Sequence, residues 1–270
     1  MDDKELVTGF QKVRISNSCP WEHILQCIGY NFDHPELNQY VTATQIKQAK
    51  QSWKGSQLLQ FEPRLLCKHD DVHSRPQVFK DYNIHLLSVK NGMYLITSNT
   101  IYVHLDVYSG PAKAYKRNAT SALLSIGDSE TSLLDNLRYC GALEDIIGEE
   151  ILFGPLLGGR HRCKFKTKLG QSEVSIDGSQ YETDGCYETE NKVCVIEVKS
   201  KPMKSFNIRQ LYFPFRVVQQ SLERKKVHKD VMCLYIIHDK EHIHINKYVW
   251  DDYFVMMDIK LQEYYKLKFH

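Results

Sequence analysis

Apolar and polar positions along the chain fall into short runs with two different rhythms, and these runs predict the elements. Pro20-Trp21-Glu22-His23-Ile24-Leu25-Gln26-Cys27-Ile28 reads as a helix with proline in its first turn. Thr42 is placed to cap a second helix, Ala43 to Gln51. Ile84 to Val89 and Met93 to Thr97 read as strands, and the Asn91-Gly92 pair between them signals a hairpin. Ile101 to Leu105 predicts another strand. Ser109 to Asn118, with Gly110-Pro111, reads as a connector. A helix then starts at Ser129 or Thr131 and stops near Cys140-Gly141, where glycine suits the helix end. A short helix, Ala142 to Ile147, follows.

Sheet structure concentrates in the second half. Cys163 to Leu169 alternates, with lysines on one face. Gln180 to Cys186 and Lys192 to Val198 are predicted strands joined by the polar turn Glu188 to Asn191. Val193-Cys194-Val195-Ile196 is apolar throughout, as expected of a strand buried on both faces. Ser205 to Lys225 predicts a long helix that Pro214 should kink or interrupt. Val231 to Ile237, His242 to Val249 and Val255 to Leu261 predict further strands. The expected fold class is α/β: a mixed sheet with flanking helices, preceded by an N-terminal α+β region.

Composition narrows the class only modestly. The chain has 270 residues, 42% hydrophobic and 25% charged, as in an ordinary globular protein. Met1 to Glu5 is polar and unlike a secretory signal, and no apolar run is long enough to span a membrane. A cytoplasmic location and no membrane partner are expected. The eight cysteines show no C-x-x-C pair and no dense pattern. This argues for reduced, structural thiols over disulfides or zinc. His242 and His244 alternate on a predicted strand and read as an ordinary half-buried pair.

The chemistry concentrates at Asp184, Glu197 and Lys199. Glu197 and Lys199 are two apart on a strand and so share a face. Asp184, on the preceding strand, can meet them near the hairpin end. Two carboxylates brought together at the end of a buried strand repel each other. A hard cation such as Mg²⁺, which prefers oxygen ligands, relieves that repulsion. Such an ion can activate water against a phosphodiester, while Lys199 orients or deprotonates the water or neutralises developing charge. The Glu-x-Lys spacing alone is uninformative, since Glu190-Asn191-Lys192, Glu223-Arg224-Lys225 and Asp258-Ile259-Lys260 imitate it. Only Glu197/Lys199 closes an apolar strand, has an acid on the strand before and is followed by a basic helix. Local charge supports an anionic substrate: Arg160, Arg162, Lys164, Lys166 and Lys168 precede the site, and Lys201, Lys204, Arg209 and Arg216 follow it. Arg224 to Lys226 reads as an exposed helix end.

Thr183-Asp184 followed by Glu197-Val198-Lys199 resembles the PD-(D/E)xK nuclease superfamily, and within it type II restriction endonucleases. The resemblance covers roughly Ser129 to Ile237, with Thr183 standing where the family has proline. It implies a restriction-endonuclease-like sheet, with Asp184 and Glu197 binding Mg²⁺ and Lys199 acting on the water. It also implies an additional helix acid, for which Glu144 has the best setting over Glu149 and Glu150, and a facing Gln210. Lys164, Lys166, Lys168, Lys201 and Arg209 become expected DNA contacts. The implied protein is a prokaryotic, site-specific, homodimeric endonuclease of double-stranded DNA. It leaves 5′-phosphates and is companion to a methyltransferase. Residues 1–115 would be a target-recognition region and 116–270 the catalytic domain. The alternatives are a repair, junction or RNA nuclease of the same fold, and a non-catalytic DNA-binding protein on it. Thr42 to Lys50, with Gln45, Lys47, Gln48 and Lys50, reads as a packing helix in preference to a DNA-recognition helix.

Overall fold

The computed structural model describes residues 20–54, 61–106, 108–116, 129–239 and 241–270. Met1 to Glu5, Cys19 and the end of the connector at Asn118 lie outside them. The chain divides into two compact units. One comprises the residues up to Val103 with Ile176–Ser179 and Ser205–Asn207. The other comprises His104–Ser175, Gln180–Lys204 and Ile208–His270.

In the first unit, α1 (20–27) is followed by β1 (Gln39–Thr42) and α2 (Ala43–Ser52). The Thr42 hydroxyl accepts from the amide of Gln45, while the Gln45 side chain accepts from the Thr42 amide, a reciprocal cap. Gln45 is therefore committed to the helix start. Ile46 and Ala49 are buried, so α2 is a packing helix. Two short helices, α3 (Pro63–Leu66) and α4 (Gln77–Asp81), lead to β2 (His85–Lys90) and β3 (Met93–Thr97). These strands form a hairpin, and β1 adds to the far side of β3 in an antiparallel sheet. Trp21, Ile24, Val41, Phe79 and Ile96 lie in the core of this unit. β4 (Tyr102–His104) follows.

The second unit is a mixed α/β structure. β5 (Lys113–Tyr115) falls inside the segment expected to be a connector. α5 (Glu130–Tyr139), capped by Ser129, and α6 (Ala142–Ile147) follow. β6 (His161–Leu169) is followed by β7 (Ser172–Tyr181), whose residues Ile176–Ser179 belong to the first unit. The main sheet contains β8 (Gly185–Glu188), β9 (Lys192–Lys199), β11 (Asp230–His238), β12 (Ile243–Trp250) and β13 (Ile259–Phe269), in the order β5-β13-β12-β11-β9-β8. β9 runs parallel to β11, and β13 to β5; the other pairings are antiparallel. Leu134, Leu143 and Ile147 from the helices pack with Cys194, Ile196, Leu234 and Ile245 from the sheet.

Four expectations need correction. The strand expected over Gln180 to Cys186 is broken between β7 and β8, because Thr183 turns inward and bonds the carbonyls of Gly185 and Ile196. The long helix begins later: Ser205–Asn207 is a strand, β10, and α7 spans Arg209–Lys225. Pro214 does not interrupt it, because the buried face around the proline holds the helix in place. The strand expected at Val255 starts only at Ile259.

The described cysteines are all free. Among the described residues no helix is long and apolar enough to cross a membrane.

Candidate active site

β9 carries the centre of the site. Its apolar residues Val193 to Ile196 are buried between β8 and β11, and its last residues emerge at the sheet end. Gly185 pairs with Ile196, and just before it the Asp184 amide donates to the Ile196 carbonyl at 3.2 Å, which brings Asp184 beside the end of β9. Where β8 stops, the Asp184 carboxylate replaces its backbone: Oδ2 accepts from the amide of Val198 at 2.7 Å.

Glu197 is 8% exposed and receives two donors on one oxygen. Lys199 Nζ lies 2.5 Å from Oε1, and Gln210 Nε2, from the first turn of α7, lies 2.8 Å from it. Lys199 also donates to the carbonyl of Val198 at 3.0 Å. The Gln210 carbonyl oxygen is buried and has no hydrogen-bond partner among the described residues. Such an unmatched acceptor is uncommon in native structures.

The electrostatics follow from this crowding. Partial burial holds the Asp184 carboxyl above its ordinary value; the Val198 amide and Lys199 oppose that rise, and Glu130 and Glu182 add to it. For Lys199, burial acts against the charge, but the combined fields of Glu197, Glu130 and Asp184 outweigh it. Its ammonium is held above the ordinary lysine value. Lys199 is therefore a retained positive charge in this state, suited to stabilising an anion and unsuited to removing a proton.

Glu130 was not anticipated. It is the first residue of α5, and its Oε1 accepts from the amide of Ser200 at 3.3 Å. Its charge acts on both Asp184 and Lys199. The available signal was Ser129 as a cap with an acid immediately after it, which puts a carboxylate at a helix N-terminus. Glu144, the expected helix acid, forms an ion pair with Arg138, both side chains half-buried. Glu149 binds the Thr189 hydroxyl and the Asn191 amide, and Glu150 is exposed.

The donor set suits Mg²⁺, which is usually held by one or two carboxylates and otherwise keeps water or substrate oxygens. Asp184 and Glu197 supply the carboxylates. No cluster of three or more His, Cys, Asp or Glu side chains fit to hold a metal is present among the described residues.

The expected DNA contacts differ in disposition. Arg162, Lys164, Lys166 and Lys168 all lie on the exposed face of β6. Lys166 is paired with Glu173 at 2.8 Å, and Arg160 with Glu182, so part of this charge is already balanced. Lys201 is exposed just beyond Lys199, and Arg209 opens α7 in a half-buried position. His244, read as an ordinary half-buried residue, bonds Asp239 at 2.8 Å and the Tyr264 hydroxyl. A surface cleft at the far end of α7, lined by Gln219, Leu222, Lys226 and His228, shares no residue with the carboxylate cluster.

Residues 98–268 match a family model described as Domain of unknown function (DUF6997), and residues 20–96 match one described as Domain of unknown function (DUF6996). Neither description names an activity. No curated protein and no solved structure matches the chain.

Proposed function

The chain belongs to the family described as Domain of unknown function (DUF6997), and we propose that it is a Mg²⁺-dependent endodeoxyribonuclease of the PD-(D/E)xK type. One observation carries the reading: Asp184, Glu197, Lys199 and Gln210 converge at the end of a buried strand, with Glu130 facing them. A surface ion pair needs neither a second carboxylate nor an amide whose oxygen is left unmatched.

Asp184 and Glu197 would hold the metal, which when bound supplies Lewis-acid polarisation of the phosphate and an activated water. The reaction is addition of water to phosphorus with cleavage of the P–O3′ bond, leaving a 5′-phosphate and a 3′-hydroxyl. Lys199 Nζ, freed from Glu197, stabilises the charge that grows on the phosphate oxygens. Gln210 fixes Glu197 through Nε2 and offers its oxygen as an acceptor to the incoming water. The restriction-endonuclease-like arrangement of the sheet, site specificity, a homodimer, a companion methyltransferase and a prokaryotic cytoplasmic setting belong to this proposal through the resemblance alone.

The test is incubation of the purified protein with unmethylated plasmid and Mg²⁺, beside Lys199→Ala. We expect cleavage that EDTA abolishes and that falls roughly 10²-fold in the variant, the typical effect of losing one transition-state donor. Discrete bands support site specificity; a smear supports a repair or nonspecific nuclease. Equal cutting by both proteins, or cutting in EDTA, would sink the assigned site.

A further inference from the structure

Arg216 is 2% exposed, and neither its Nε nor its Nη1 has a hydrogen-bond partner among the described residues. Burying a guanidinium without such partners is costly. Three aromatic rings offset that cost: its central carbon lies 5.5 Å from the ring centre of Phe165, 4.9 Å from Tyr253 and 4.8 Å from Phe254. All three distances are within the range of a cation–π contact.

Phe254 differs from the other two in being 49% exposed. Arg216 lies against the ring, the Tyr253 ring centre is 4.6 Å away at 33°, and the remaining half of the residue is exposed to solvent. The segment that carries it is tightly held. Phe254 accepts from the amide of Lys168 at 2.7 Å and from the Thr167 hydroxyl at 3.0 Å, and its own amide donates to Asp252 Oδ1 at 2.8 Å. The Tyr212 hydroxyl donates to the carbonyl of Tyr253 at 2.7 Å, and Met256 bonds back to Lys168 at 2.9 Å. An exposed phenyl ring fixed in this way has little conformational freedom left to lose on binding, which favours its use as a contact surface. The buried cation beneath it draws electron density from the ring, so its open face is suited to an electron-rich partner. Lys168 is exposed on β6, next to this segment through the backbone bonds above.

We propose that Phe254, backed by Arg216 and flanked by Lys168, is a stacking platform for an unpaired nucleobase, with Lys168 taking the adjoining phosphate. A base within an intact duplex has both faces covered by its neighbours, so the platform selects DNA with unpaired nucleotides. The choice of nucleic acid as ligand rests on the nuclease reading above, and the platform adds to it a contact for a base that is unpaired or locally opened where the protein binds. Stacking on an exposed aromatic beside a basic track is a general route to single-strand binding.

The test uses the full-length protein in EDTA, so that binding is read without cleavage. In Phe254→Trp, indole fluorescence should fall on titration with a single-stranded oligonucleotide and stay unchanged with blunt duplex. Phe254→Leu, which still covers Arg216 but cannot stack, should bind the single strand about tenfold more weakly by fluorescence anisotropy. Its duplex affinity should be unaltered, and the loss of one of the three rings around Arg216 should lower the melting temperature only slightly. Unchanged single-strand affinity in Phe254→Leu, or single-strand binding by Phe254→Trp without quenching, overturns the platform whether or not the protein cuts plasmid. Quenching by a protein that never cuts DNA supports the platform and removes the nuclease reading. Absence of any oligonucleotide binding overturns both.

Discussion

The upward shift of the Asp184 carboxyl has a cost in the absence of metal. Because its carboxyl is held above the ordinary value of 3.8, the ionised form is disfavoured in the folded chain. That penalty is present at neutral pH and disappears as pH falls through the raised value towards 3.8. Asp184→Asn keeps an oxygen for the Val198 amide but removes the charge. Without metal, at pH 7, the variant should therefore melt at the same temperature as the parent or higher, and its advantage should fade on acidification. With Mg²⁺ it should be inactive, and only the parent should gain in melting temperature. A variant that melts well below the parent in EDTA would show that Asp184 is there for stability. Asp184, Glu197 and Lys199 were legible in the sequence because strand alternation and one hairpin bring them together, both of them short-range properties. Glu130 was not, because the cap at Ser129 marks only a helix start, while its contact with Ser200 closes over a long stretch of chain. Glu144 has an equally good helical setting, and only tertiary packing assigns it to Arg138.

Element boundaries followed local chemistry where turn residues are decisive. α6 has the expected limits because Gly141 and Gly148, at φ 82° and 78°, bracket it in conformations that favour glycine. β5 was missed because its three residues gain their partners only from β13 near the chain end. α7 tolerates Pro214 because the proline removes only the donor that would meet the Gln210 carbonyl, while Leu211, Phe213, Phe215 and Val218 stay buried. The loop from Ile151 to Arg160 is tied to β8 through bonds from Leu152, Phe153 and Leu156, and Gly154 within it has φ 146°. A Cβ there would collide with the Tyr187 ring and come within 3.0 Å of the Cys186 carbonyl. Gly154→Ala should cost about 1–3 kcal/mol, as overpacking with added backbone strain does. Urea denaturation measures it, and a loss below a few tenths would mean that the loop can leave β8 freely.

At the scale of the whole molecule, the first unit is not one stretch of sequence. Ser88 bonds Ser179 at 2.8 Å, Val72 donates to Ser205 at 2.9 Å, and the Asn207 amide donates to Asp70 at 2.9 Å. The sequence showed the α/β class and the run of the core strands, but it did not show this borrowing. The borrowed residues sit among segments that belong to the second unit. A fragment ending at Val103 lacks all three partners. We expect its amides to exchange with solvent much faster than in the full chain, measured by hydrogen–deuterium exchange; equal protection in the two would show that the borrowed strands are decoration. The same arrangement has a consequence during synthesis. The residues up to Val103 cannot finish folding when their own stretch is complete, and must wait until Asn207 has been synthesised. Translation of the stretch from Val103 to Asn207 is then an interval in which the unfinished unit is exposed to chaperones and proteases.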